Sequence, residues 1–241
     1  MILKLLRTLV SYFLFIILVL IFGLPLLIFI LLPEKWRYDN KVYFWLVDIF
    51  FKATLLFSFL PIEVIGKENM PKEPAIITPN HQSALDLPLV GSLLDGYPHI
   101  WMAWARLAKY WIGPFAKRMA VLIDMTSPMK GMRSLIKALK LIQGKKRHVI
   151  IFPEGSRSPG NQVHDFFAGF VILAKKTKRP VVPVLILNAY KVYPPGSFFI
   201  NWYPIKVIVG KPFFYKDDEG DDAFKNRVYN WFVDKVEAYK E

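Results

Sequence analysis

Two short runs hold the residues best able to do chemistry. The first, Asn80-His81-Gln82-Ser83-Ala84-Leu85-Asp86, sets an imidazole and a carboxylate five positions apart, directly after the strand-like run 75–78. On a regular helix these side chains would diverge. With His81 in a loop and Asp86 in the first turn of a helix, the carboxylate can reach the ring, and Ser83 with Asp86 matches an N-terminal capping pattern. A carboxylate on one ring nitrogen fixes the tautomer and supports the imidazolium, which leaves the other nitrogen to take a proton. His81 is therefore a candidate general base and Asp86 its partner. The second run, Phe152-Pro153-Glu154-Gly155-Ser156-Arg157-Ser158, follows the strand-like run 149–152. Gly155 lets the backbone approach a ligand, Ser156 offers a hydroxyl, and Arg157 offers a planar fork matched to phosphate oxygens. Glu154 is placed either to orient the hydroxyls of a ligand or to hold Arg157. Taken singly, each run also reads as ordinary structure, a strand-end histidine in one case and a salt-bridged turn in the other.

The elements that must position these runs follow a pattern of short β-rich segments at 62–65, 75–78, 121–124, 149–152, 181–187 and 205–209, separated by turns and by helical stretches such as 130–143. That alternation predicts an α/β fold with a largely parallel sheet flanked by helices. Both runs then lie at the carboxyl ends of strands, the edge where open α/β sheets place ligands. Pro183 predicts an edge, a bulge or a break in the fifth segment, where the sheet could open to a ligand. His99 follows Pro98 at an apparent strand start.

Residues 8–33 carry no charge, and a helix of that length reaches ~37 Å against a hydrocarbon core of ~30 Å. A secretory signal is the competing reading, but the apolar run is too long and lacks a small-residue cleavage site. Gly23-Leu24-Pro25 predicts a bend, which also permits a segment that dips into one leaflet and returns. Residues 42–60 are rich in aromatic side chains and read as an interfacial helix. We therefore expect residues 1–60 to form a hydrophobic N-terminal membrane anchor and residues 61–241 the α/β domain.

The absence of cysteine removes disulfides, thiolate metal sites and a cysteine nucleophile. Between Arg106 and Arg179 stand 16 Lys and Arg against Asp124, Glu154 and Asp165, a surplus equal to the whole net charge of +13. One basic region, rather than a diffuse positive cloud, predicts anionic partners. No nucleic-acid-binding signature accompanies it, so membrane lipid, coenzyme A phosphates or an acidic carrier protein fit better. Helix 130–143 sets Met132, Leu135, Ile136, Leu139 and Ile142 on one face and Lys130, Arg133, Lys137 and Lys140 on another. With Lys145, Lys146 and Arg147 it reads as a docking surface for such a partner. His148 and His164 with Asp165 gain no second recognition motif, and no acidic cluster predicts a metal.

The two runs, in this order and separation, resemble the glycerolipid acyltransferase family typified by bacterial 1-acylglycerol-3-phosphate acyltransferases, from about Ile62 to the C-terminus. The resemblance implies direct transfer of a fatty acyl group from a thioester, acyl coenzyme A or acyl carrier protein, to a lyso-phospholipid hydroxyl, with no further cofactor. His81 would deprotonate the acceptor and Asp86 would orient His81. It also implies substrate contacts at Asn80, Glu154, Gly155, Ser156 and Arg157. Val182-Pro183-Val184 looks like the family's fourth motif, lining the acyl region at Pro183, and Trp101, Trp104, Trp111 and Phe115 are candidate walls of an acyl tunnel. The location implied is the inner membrane, with the catalytic domain facing the cytoplasm. Two departures stand out. Ile123-Asp124-Met125 lacks the arginine of the family's Ile-Asp-Arg, and Phe166-Phe167-Ala168-Gly169 lacks the lysine of its Phe-Lys-x-Gly. Lys109, Lys117 or Arg118 could replace these cations, or the acceptor could be a different lyso-lipid. A noncatalytic membrane scaffold and a thioesterase using water as acceptor are the competing functions.

Overall fold

The computed structural model describes residues 1–110, 113–124, 126–158 and 160–239. Met125 and Trp111, singled out above, lie outside the described residues. The helices are α1 (Ile2–Leu31), α2 (Glu34–Arg37), α3 (Lys41–Phe57), α4 (Asp86–Gly91), α5 (Gly113–Met119), α6 (Pro128–Ile142), α7 (Gly169–Thr177), α8 (Ala189–Val192) and α9 (Asp221–Ala238). The strands are β1 (Ile62–Ile65), β2 (Ile76–Pro79), β3 (His99–Trp104), β4 (Ala120–Ile123), β5 (His148–Ile151), β6 (Val181–Leu187) and β7 (Ile205–Val209). Among the described residues the strands form one seven-stranded sheet in the order β1-β7-β6-β2-β5-β3-β4. Every pairing is parallel except β6 with β7. The fold is thus α/β with a largely parallel sheet. Its central strands β6, β2 and β5 are buried throughout and mostly apolar, as in a sheet covered on both faces.

Pro183 neither ends β6 nor puts it at an edge: β6 runs unbroken and fully buried between β2 and β7. The Pro183 carbonyl accepts from the Gly210 N–H at 2.9 Å, so the N–H that proline lacks would also have faced β7. The ladder slips there. Val184 pairs with Val209, but Val181 pairs with Phe213, so the continuation of β7 carries one extra residue. A bulge on the partner strand absorbs the missing donor.

Helix α1 continues through Pro25 without interruption. Its apolar surface is largely exposed, and it is long and apolar enough to cross a membrane. Both of its ends are tied to the rest of the chain. Near the start, Arg7 donates to the Ile200 carbonyl at 3.1 Å, the Ile200 N–H donates to Thr8 Oγ1 at 3.2 Å, and Tyr12 donates to the Phe198 carbonyl at 2.8 Å. At the far end, buried Arg37 donates to the carbonyls of Ile30 (2.8 Å) and Leu32 (3.0 Å), and Arg118 donates to that of Leu31 at 3.2 Å. These guanidinium groups satisfy carbonyls that a helix C-terminus leaves without partners. Helix α3 packs along α1 and against α4, where the Phe51 ring leaves no room for a β-carbon on Gly91.

Two histidines sit side by side at the opposite edge of the sheet from the motif loops, His99 paired with His148 across β3 and β5. The Ala75 N–H donates to His148 Nδ1 at 3.0 Å, so the proton sits on Nε2. Burial lowers His99 to about 4; burial, aided by the charges of His99 and Arg179, lowers His148 to about 3. Both are neutral in the folded protein, whereas unfolding restores the ordinary value of 6.5. The unfolded chain therefore binds more protons as pH falls below 6.5, and stability is lost down to the folded values. Thermal unfolding in detergent at a series of pH values from neutral downward should show a falling midpoint, and His148→Asn should flatten the slope. Equal slopes in the two proteins would show that these imidazoles do not set the acid limit.

Candidate active site

Strands β2 and β5 are parallel neighbours, so the two loops that follow them emerge together at one edge of the sheet. Asp86 opens α4 and is completely buried. Its Oδ2 atom accepts from His81 Nδ1 at 2.7 Å, from the Gln82 N–H at 2.5 Å and from the Ser83 N–H at 2.8 Å. The Ser83 bond is one half of the expected capping pattern, with the carboxylate reaching back to the chain ahead of the helix. The bonds to Gln82 and Ser83 fix the carboxylate independently of His81. With Nδ1 committed, the chemistry of His81 falls to Nε2, in a side chain that remains 14% exposed. The ring stacks on Phe152, with centroids 4.1 Å apart and an angle of 24°, and Phe152 stacks in turn on Trp101.

Glu154 joins the two loops. Its Oε1 accepts from the His81 N–H at 3.0 Å, and its Oε2 accepts from the His164 N–H at 3.1 Å and the Ser158 hydroxyl at 3.3 Å. Burial raises its pKa, while the N–H groups of His81 and His164 oppose the shift. Both oxygens are thus engaged with the chain, and Glu154 does not hold Arg157. A further brace is Gln82, whose Nε2 donates to the Gly160 carbonyl at 2.7 Å and to Asn161 Oδ1 at 3.1 Å. Glu154 and Gln82 together fix the second loop against the first.

The remaining predicted contacts divide. Gly155 has a φ of +72°, and a β-carbon there would lie 2.9 Å from the Phe167 ring, so glycine meets both a backbone and a space requirement. Ser156 and Arg157 are exposed beyond it, and among the described residues no carboxylate pairs with Arg157. Asn80 is not open to a ligand: its amide donates to the Ile186 carbonyl at 2.9 Å and accepts from the Ile186 N–H at 2.7 Å, extending the β2–β6 pairing past Pro79. Pro183 lies in the core with its ring against Gly210. Arg118, though exposed, has its Nη1 engaged with the Leu31 carbonyl at the end of α1. Arg147 is likewise internal, bonded to Asp39 and the Leu141 carbonyl.

An apolar cavity of about 330 Å³ lies beside α4, between α1 and α3, walled by Tyr12, Phe15, Phe50, Phe51, Leu85 and Leu87 among others. It adjoins the His81 loop through Ala84 and Leu85. None of Trp101, Trp104 and Phe115 lines it. Trp101 instead supports Phe152, and Trp104 stands near Gly155. The sequence reading gave no role to Phe152 or Gln82, although an aromatic residue heading the second run and an amide beside His81 were visible there.

A buried carboxylate holding one nitrogen of a half-open imidazole, at the carboxyl edge of a parallel sheet, is an arrangement for taking a proton from a hydroxyl. Residues 61–187 match the family model described as Acyltransferase, and the chain belongs to that family. It is similar to the chloroplastic 1-acyl-sn-glycerol-3-phosphate acyltransferase BAT2 of Brassica napus, 29% identical over 197 residues, covering 80% of this chain and 56% of that protein. It is also similar to the 1-acyl-sn-glycerol-3-phosphate acyltransferase of Pseudomonas aeruginosa, 26% identical over 193 residues, covering 80% of this chain and 74% of that one. Against five plant and yeast relatives the chain spans 54% to 63% of their length. The crystal structure of the 1-acyl-sn-glycerophosphate (LPA) acyltransferase PlsC of Thermotoga maritima superposes with a TM-score of 0.78 at 25% identity, covering 99% of this chain and 98% of that one.

Proposed function

We propose that this acyltransferase moves a fatty acyl group from acyl coenzyme A or acyl carrier protein to the free hydroxyl of 1-acylglycerol-3-phosphate, giving phosphatidic acid. The observation that carries this reading is the 2.7 Å bond from His81 Nδ1 to a carboxylate already held by two backbone N–H groups. His81 Nε2 takes the proton of the acceptor hydroxyl as its oxygen attacks the thioester carbonyl. The new C–O bond forms, the C–S bond breaks, and the proton passes to the departing thiolate. Asp86 supports the imidazolium between these steps. Gly155, Ser156 and Arg157 form the acceptor side, with Arg157 free to meet the phosphate. Glu154 and Asn80 act by positioning loops rather than by touching substrate. The cavity beside α4 receives an acyl chain, and its volume falls in the range of small-ligand pockets. Residues 1–60 serve as the membrane anchor and residues 61–241 as the catalytic domain, which faces the cytoplasm where acyl donors are made.

One feature favours a second acceptor. Phe167 stands over Gly155 where the resemblance expects a lysine, and it is half exposed, so this part of the acceptor side is apolar. The same chemistry on a lyso-lipid with a less anionic headgroup fits that surface. Solubilised protein, given a labelled thioester and a panel of lyso-lipids, should form a diacyl product, with lysophosphatidic acid as the preferred acceptor. Preference for another lyso-lipid would shift the assignment to that acceptor. Release of free fatty acid alone would make the protein a thioesterase, and no product from folded protein would make it a scaffold.

A further inference from the structure

Helix α6 does not bury its apolar residues as a single stripe. Leu135, Ala138 and Ile142 face the core, but Met129, Met132 and Ile136 remain 66%, 45% and 43% exposed. They share the outer surface with Lys130, Arg133, Lys137 and Lys140, all exposed. Lys130 faces Asp124 at 3.5 Å and Lys137 faces Glu34 at 3.7 Å, while among the described residues no carboxylate pairs with Arg133 or Lys140. The Lys137–Glu34 contact also places the middle of α6 beside α2, directly after the end of α1. Exposed Leu31 and Trp36 continue the apolar surface there.

We propose that the outer face of α6 is a second lipid-contacting surface, which docks on anionic headgroups in the leaflet that receives α1. This inference rests on the reading that α1 lies in a bilayer. Cationic side chains alternating with Met and Ile suit the headgroup boundary, where lysine and arginine meet phosphates while the apolar groups enter the acyl margin. A soluble acidic protein would match the charge, but it would not account for continuity with the apolar surface at the end of α1. Two attachments, one apolar and one electrostatic, would set the tilt of the sheet edge that carries His81 as well as its distance from the lipid.

The chain has no cysteine, so a fluorophore can be placed at one engineered site. Full-length Met132→Cys reports on α6, and Leu20→Cys reports on α1. Each is reconstituted in phosphatidylcholine vesicles with or without phosphatidylglycerol, and with a lipid-borne quencher. The Leu20 probe is expected to be quenched in both vesicle types, and the Met132 probe only when phosphatidylglycerol is present. Arg133→Gln or Lys140→Gln should each lower the docked-to-undocked ratio about fivefold, the effect of one cation near an anionic surface. An unquenched Met132 probe beside a quenched Leu20 probe overturns the docking proposal alone, and equal Met132 quenching in both vesicle types overturns its anionic-lipid basis. A Met132 signal that answers to acyl carrier protein without vesicles gives the surface to a protein partner. Quenching at neither site overturns the membrane anchor together with the proposal.

Discussion

His81→Ala should lower acyl transfer by about 10²–10⁴-fold, the usual contribution of a positioned general base, with little change in stability. Removing the imidazole does not strand its partner, because Asp86 Oδ2 keeps the N–H groups of Gln82 and Ser83. The ring lies between Asp86 and the Phe152 ring in a side chain that keeps 14% of its exposure, so its loss opens no deep cavity. Initial rates with a labelled thioester and the preferred lyso-lipid, beside thermal unfolding of both proteins, measure the two quantities separately. Wild-type rates in a folded variant would remove His81 as the base.

Asp86 separates catalysis from folding in a different way. Asp86→Asn can keep its carbonyl oxygen where Oδ2 now accepts three donors, so the loop should survive, but the imidazolium loses its counter-charge. A fall of about 10⁴-fold is the precedent for a buried aspartate behind a catalytic histidine. The amide nitrogen would occupy the place of Oδ1, which is buried and has no partner among the described residues, so some stability is lost as well. Asp86→Ala removes the acceptor altogether. The Gln82 and Ser83 N–H groups are then buried without partners, at about 1–3 kcal/mol for each such group, and unfolding should occur at a clearly lower temperature. Calorimetry and transfer rates on the pair test this ordering. An alanine variant as stable as the wild type, or an asparagine variant with full activity, would contradict the role drawn for Oδ2.

Much of this site was legible because short-range chemistry writes itself into spacing. His81 and Asp86 meet through a strand end and one turn of helix, and the run around Glu154 follows the adjacent parallel strand, so the order of the elements brought the two runs to the same edge. Strands β1, β2 and β4 to β7 were visible as β-branched runs. Strand β3 was not, because His-Ile-Trp-Met-Ala-Trp alternates bulky side chains without a β-branched majority, and only its start was marked. What escaped the sequence is what depends on distant partners. Arg147 read as part of a docking surface, yet it is buried against Asp39 and donates to the Leu141 carbonyl, and Arg118, read as a replacement cation, bonds the end of α1. Asn80 read as a ligand contact, yet its amide both donates to and accepts from Ile186 of β6, more than one hundred residues away. The cavity proposed for the acyl chain forms where α1 and α3 pack over α4, a packing that no local pattern encodes.

The ties at both ends of α1 bear on how reaction rate should be reckoned. A freely jointed leash would let the sheet edge roam through solution, sampling acceptors by their bulk molarity. Hydrogen bonds from Arg7 and Tyr12 and one accepted by Thr8 at one end, with those from Arg37 and Arg118 at the other, tie the helix to the domain as one piece. Encounter with an acceptor that never leaves the leaflet then becomes a search in two dimensions. For the proposed lyso-lipid acceptor, the quantity that sets its frequency is the number of acceptor molecules per unit of surface, so diluting it with inert phospholipid should slow transfer while adding buffer should not.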